Sequence, residues 1–147
     1  MLELITNSEE ETIEYAKRIA KQINKNTVIV LTGELGSGKT KFTEGILTYY
    51  GLEDEISSPT FTLVNEYNAK DFNIFHFDVY RLSDEDEFYA IGGEEYFDKG
   101  ACIIEWGEII EKILPKDYIK ISFFKDEKND NKRIIKIEFF GNASLDI

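Results

Sequence analysis

An apolar strand pattern that runs into a glycine-rich loop and then into a helix constrains this chain more than any other feature. Thr27-Val28-Ile29-Val30-Leu31 is an apolar, β-branched run, the composition of a strand covered on both faces. Directly after it, Gly33-Glu34-Leu35-Gly36-Ser37-Gly38-Lys39-Thr40 fits the pattern G-x-x-x-x-G-K-[ST]. A helix is predicted from about Lys39 to Tyr50, ended by Gly51. Strand, loop and helix in that order make a phosphate cradle. The glycines let the backbone bend so that several N–H groups point inward at phosphate oxygens. The helix aims its positive N-terminus at the same place. There the Lys39 ammonium reaches the β- and γ-phosphates, and the Thr40 hydroxyl is a hard oxygen ligand for Mg²⁺. Leu35, Gly36, Ser37 and Gly38 keep the cradle free of rival anions, and Glu34 must point away. A glycine-rich turn beside a surface lysine would need neither the strand before nor the helix after.

Guanine readers of such loops carry N-K-x-D on a later strand end. The nearest string here, Asn24-Lys25-Asn26-Thr27, lacks the aspartate and precedes the loop. ATP is therefore the expected nucleotide.

The rest of the chain supplies a domain around this loop. With 147 residues, 42% hydrophobic and 14% aromatic, residues 1–147 suit one domain with a packed core. Leu2 to Ile5 reads as a short strand. Ser8 with Glu11 matches a capping box, and Ile13, Ala16, Ile19, Ala20 and Ile23 mark the apolar face of a helix. Further strands are predicted at Phe61 to Tyr67, Asn73 to Tyr80 and Ala101 to Trp106. Helical segments fall at Asp84 to Ile91 behind a Ser83 cap, at Glu94 to Asp98 as a short turn, and at Glu108 to Leu114 before Pro115. Tyr118 to Phe124 and Arg133 to Phe140 alternate as an antiparallel pair around a polar loop. The order implies an α/β P-loop NTPase: three layers, α/β/α, with a mixed, mainly parallel sheet and C-terminal antiparallel strands.

Charge narrows the partners. A formal net charge of −12 opposes nucleotides and nucleic acids, so a nucleotide needs a local device to hold it. Unassisted DNA or RNA binding is disfavoured. The acidity fits either a basic protein partner or simple solvation. No apolar run approaches the roughly 20 residues of a membrane span, and no signal-peptide core opens the chain. A cytoplasmic protein is expected. Cys102, the one cysteine, sits among Ala101, Ile103 and Ile104 and reads as a buried strand residue.

Several polar residues are candidates for the same site. Asp78 and Glu105 fall near the ends of apolar strands, where such folds put Mg²⁺ ligands or bases. Each has a bland alternative, a strand-end acid meeting solvent. Ser58-Pro59-Thr60 fits a switch-like loop or an ordinary turn. His76, one step from an apolar face, reads as a hydrogen-bonded structural residue. Trp106 reads as core, and Arg81 as the only arginine near the site.

Taken together, the strings Gly33-Glu-Leu-Gly-Ser-Gly-Lys-Thr-Lys-Phe42, Ser58-Pro-Thr-Phe-Thr-Leu-Val-Asn-Glu-Tyr67, His76-Phe-Asp-Val-Tyr-Arg-Leu82 and Glu105-Trp106 resemble the TsaE (YjeE) family. The resemblance spans roughly residues 8 to 115. It implies a bacterial ATPase of tRNA threonylcarbamoyladenosine formation that binds the TsaD–TsaB pair, where TsaD is the transferase. It meets tRNA only through those partners, and its ATP hydrolysis would reset the complex between turnovers. Carried over, Lys39 holds phosphate, and Thr40 with Glu105 binds Mg²⁺. Asp78 is the acid that positions or activates water. Thr60 lies in the switch-like loop, Trp106 near the nucleotide, and Glu9 at the adenine pocket, which also involves the C-terminal strands. Few arginines imply slow turnover that a partner completes. Two other readings remain: a small-molecule kinase, against which the scarcity of arginines counts, and a nucleotide-binding module without hydrolysis. Candidate partner surfaces are Ser57 to Tyr67 and Asp84 to Asp98.

Overall fold

The structure is a computed structural model that describes residues 1–34, 36–56, 64–79, 82 and 84–146. Among these, the strands are β1 (Leu2–Thr6), β2 (Val28–Gly33), β3 (Val64–Asn68), β4 (Asn73–Asp78), β5 (Ala101–Glu105), β6 (Tyr118–Lys125) and β7 (Arg133–Phe140). The helices are α1 (Glu9–Ala20), α2 (Lys39–Tyr49) and α3 (Glu85–Ala90), with 3-10 turns at Glu53–Glu55, Gly93–Asp98 and Gly107–Ile113. One sheet runs in the order β1-β7-β6-β2-β5-β4-β3. Its centre, β6-β2-β5-β4, is parallel, and β7, β1 and β3 extend it antiparallel. The mixed α/β architecture is the expected one. The C-terminal pair is built into it, because β6 lies in parallel register beside β2, with Leu31 opposite Ile121.

Alternation along β2 explains the layers. Ile29 and Leu31 enter a core beneath α1 and α2, with Phe42, Ile46, Ile103 and Ile121. Val28 and Val30 enter a second core on the opposite face, with Phe75, Phe77, Phe88, Ile104 and Ile110. Cys102 is fully buried in that second core. A strand covered on both faces cannot alternate polar with apolar, hence the continuous run. Each fully buried Ile, Leu or Phe stabilises the fold by roughly 1.5–3 kcal/mol relative to exposure.

Local chemistry sets the element ends. Ser8 Oγ accepts the Glu11 N–H at 3.2 Å, while Glu11 Oε2 accepts the Asn7 N–H at 2.6 Å. The capping box forms, reaching one residue further back than the usual pattern. The cap of α3 is Asp84, whose Oδ1 accepts the Glu87 N–H at 3.2 Å; Ser83, the expected cap, lies outside the described residues. The helix predicted over Glu108 to Leu114 is a tighter 3-10 turn with a kink at Ile110. Its β-branched residues Ile109, Ile110 and Ile113 pack on the second core and disfavour a regular helix. β4 ends at Asp78, and Tyr80 and the 61–63 part of the predicted third strand lie outside the described residues. No helix among the described residues is long and apolar enough to cross a membrane.

Candidate functional site

Parallel strands put their carboxyl ends on one edge of the sheet, where ligands of such folds bind. Here Leu31, Glu105 and Asp78 stand side by side across β2, β5 and β4. A cavity of about 430 Å³ opens above them, within the range of small-ligand sites. One wall is Gly36, Gly38, Lys39, Thr40 and Lys41, from the loop and the start of α2. Asp78, Glu105 and Trp106 form the floor. Ser8 ahead of α1, Glu9 and Thr12 within it, and Asn131 and Arg133 complete the lining.

The loop is shaped for an anion. Gly33 and Gly38 take φ of 137° and 117°, in the range L side chains rarely adopt. A Cβ on Gly33 would also stand 2.6 Å from the Phe123 carbonyl oxygen. The N-cap of α2 is Gly38, without a side-chain cap, and no acid lies in the first turn. The first N–H groups of that helix are thus left for a ligand. Ser37 is 1% exposed, and its Oγ has no hydrogen-bond partner among the described residues.

Lys39 is 4% exposed. Its Nζ donates to the Gly33 carbonyl at 2.7 Å and lies 3.5 Å from the centre of the Trp106 ring. Burial pushes its pKa below the ordinary lysine value, and the nearby Glu105, Glu108 and Asp78 carboxylates oppose that shift. The ammonium is desolvated and held by a carbonyl and a π-face, both weaker partners than a phosphate. Trp106 itself sits at φ 65°, alone in that region among the described non-glycine residues. Its N–H donates to the Leu31 carbonyl at 3.0 Å, which ties the turn after β5 to the end of β2.

Glu105 is 8% exposed and meets His76, 6% exposed, with Nε2 and Oε2 2.5 Å apart. His76 is therefore the structural hydrogen-bonded residue its sequence context implies, and its partner is a candidate metal ligand. No group of three or more His, Cys, Asp or Glu among the described residues is arranged to hold a metal. Mg²⁺ does not need one. It is held by one or two protein oxygens together with nucleotide phosphates and water. The Thr40 hydroxyl and the Glu105 carboxylate on one cavity fit that demand. The orphaned Ser37 hydroxyl, the uncapped α2 and the desolvated Lys39 fit a polyphosphate.

Of the residues predicted from sequence, Glu9, Gly36, Gly38, Lys39, Thr40, Asp78, Glu105 and Trp106 all line this cavity. Gly33 holds Lys39 from behind, and Ser37 is buried within the loop. Leu35 and Thr60 lie outside the described residues, as do Ser58, Pro59 and Arg81. The expectation that Arg81 is the only arginine near the site does not hold. Arg133 lines the cavity, donating from Nη2 to Gly36 O at 3.3 Å and from Nη1 to Lys132 O at 2.9 Å. Sequence reasoning also missed Ser8, Thr12, Lys41 and Asn131. The 126–132 loop carries no local signal for a site. It reaches the phosphate loop because β7 pairs with β6, and β6 with β2.

Comparison with known proteins converges on one family. The model for "Threonylcarbamoyl adenosine biosynthesis protein TsaE" matches residues 6–135. The tRNA threonylcarbamoyladenosine biosynthesis protein TsaE of Rickettsia conorii is 40% identical over 132 residues, covering 89% of this chain and 74% of that protein. Its Bacillus subtilis counterpart is 38% identical over 138 residues, covering 93% and 85%. Among solved structures, Bacillus subtilis YdiB superposes with a TM-score of 0.76 at 34% identity, covering 96% of this chain and 86% of that one. With a family model over residues 6–135 and these relatives at such coverage, the chain belongs to the TsaE family.

Proposed function

We propose that this protein is a Mg²⁺-dependent ATPase that serves tRNA threonylcarbamoyladenosine formation by acting on a TsaD–TsaB transferase complex. The observation that carries the reading is the convergence of Lys39, Thr40, Asp78 and Glu105 on one cavity around an uncapped helix N-terminus. That set supplies each element phosphoryl transfer to water requires. Lys39 and the α2 N–H groups bind the phosphates. Thr40 and Glu105 would hold Mg²⁺, which would supply charge neutralisation to the reacting phosphoryl group. Asp78, in register with Glu105 on the neighbouring strand, orients the attacking water or accepts its proton.

Charge supports an indirect relation to tRNA. Among the described residues, three cations and three acids line the cavity, namely Lys39, Lys41 and Arg133 against Glu9, Asp78 and Glu105. The chain as a whole carries −12. These described charges balance on a protein whose field repels nucleic acid, so contact with tRNA runs through partners. A small-molecule kinase needs several cations around the transferred phosphoryl group. Among the described residues the arginines offer one candidate: Arg133, which lines the cavity while bonding backbone carbonyls, whereas Arg18 lies over the Tyr15 ring on α1, so the water-directed reading is preferred.

Phosphate release from ATP, measured with and without TsaD–TsaB, tests the proposal. Slow hydrolysis that rises at least about tenfold with the complex is expected. Equal rates with and without it, or transfer of phosphate to a small acceptor, would overturn it.

A further inference from the structure

We infer that His76 is a positioning residue, holding the Glu105 carboxylate in the one orientation from which it reaches a nucleotide-bound Mg²⁺. The inference rests on the reading of Glu105 as a metal ligand and adds a residue to it.

The geometry is specific. In the parallel β4–β5 ladder, Asp78 stands directly beside Glu105, and His76 stands beside Ile103. Paired residues of a parallel ladder share a face, so His76, Asp78, Ile103 and Glu105 all project toward the α1–α2 side. His76 is set two residues back from the strand end, and from there its Nε2 lies 2.5 Å from Glu105 Oε2. The ring's other nitrogen, Nδ1, is buried with no partner among the described residues. A carboxylate that serves a metal can only accept, so the hydrogen lies on Nε2 and the bond runs from His76 to Glu105.

Two problems make that bond useful. A glutamate has three side-chain torsions, and freezing them on metal binding costs entropy. Asp78 is also adjacent, and two neighbouring carboxylates repel. A buried imidazole N–H on Oε2 fixes the rotamer before any ligand arrives and draws off part of the charge. Oε1 is then the oxygen left for the cation. Partners of this outer kind change metal affinity by roughly 10- to 100-fold in other sites.

The test uses Mn²⁺ as the probe at a fixed concentration of a non-hydrolysable ATP analogue. Half-saturation is read from water-proton relaxation, and analogue affinity in EDTA is measured alongside. His76→Leu keeps bulk and removes the N–H. It should raise the half-saturating Mn²⁺ about tenfold or more while leaving the metal-free affinity within about twofold. His76→Gln carries an amide N–H to the place of Nε2 and should restore Mn²⁺ binding to within about threefold. If His76→Leu does not fold, His76→Asn replaces it, because its shorter amide stops short of Glu105. Unchanged Mn²⁺ binding in the Leu or Asn variant overturns the inference. So does a Gln variant as weak as either. Glu105→Gln separates the two levels: if it leaves Mn²⁺ binding unchanged, the metal-ligand reading falls too, whereas a weakened Glu105→Gln beside an unaffected His76→Leu removes only the role of His76.

Discussion

The two walls of the cavity are built on different principles. The phosphate wall and its floor grow out of the buried centre of the sheet. Leu31, Glu105 and Asp78 are fixed by ladder register, and Ser37, Lys39 and Glu105 are each under 9% exposed. The opposite wall is made of the first turn of α1, the loop before β7 and Arg133 at the start of β7. Glu9 and Asn131 are exposed there, and Arg133 is half-buried. The buried groups of the first wall are positioned by core packing before any ligand arrives, whereas Glu9, Asn131 and Arg133 of the second meet solvent. Preorganised charge in a desolvated setting contributes more than the same charge in water. The inner wall should therefore dominate affinity and chemistry, and the outer wall should adjust affinity.

The sharpest way to break this contrast is Lys39→Ala. Removing a buried ammonium that would donate to phosphate forfeits one or two charge-assisted hydrogen bonds, about 3 kcal/mol in all. Calorimetry should show nucleotide affinity lower by about 100-fold, with the far-UV circular dichroism unchanged. A loss under about fivefold would mean that the inner wall does not lead.

The pH response sharpens the same point. Burial depresses the Lys39 pKa, so the unfolded chain binds that proton more tightly than the empty folded protein does. Stability contributed at this position therefore rises as pH climbs through the depressed folded pKa toward the ordinary lysine value. Bound phosphate would restore the pKa, so nucleotide binding at alkaline pH should take up a proton. Calorimetry in buffers of different ionisation enthalpy measures that uptake, and Lys39→Ala should abolish it.

The smallest expected effect is at the outer wall. Arg133→Ala should weaken nucleotide binding by about three- to tenfold, in keeping with a partly exposed charge. Hydrolysis per bound nucleotide should stay unchanged in a phosphate-release assay. A loss as large as that of Lys39→Ala would erase the distinction between the walls.

The same division explains what could be read from sequence. The inner wall is local. Strand, loop and helix follow one another within residues 28–49, and the apolar runs before Asp78 and Glu105 announce strand ends by composition alone. The outer wall joins Arg133 to Gly36 across 97 residues. That pairing depends on β7 lying between β6 and β1, a tertiary fact with no periodicity to reveal it. The Glu108 helix gives way for a related reason, since its isoleucines meet the second core through contacts the local pattern leaves open, whereas the Asp84 cap is a local bond to the Glu87 N–H. His76 was legible as a structural residue but not as the partner of Glu105, because the two are 29 residues apart and meet only through the β4–β5 register.

The contact between Lys39 and Trp106 carries an optical consequence. Trp106 is the chain's single tryptophan, so the protein's entire indole emission comes from one edge of the cavity. The ammonium 3.5 Å from its ring centre acts as a fixed local field on that chromophore. Any ligand that draws Lys39 away changes the field and the emission with it. The protein thus carries its own label, and a ligand seated at Lys39 can be followed in real time without attaching a dye.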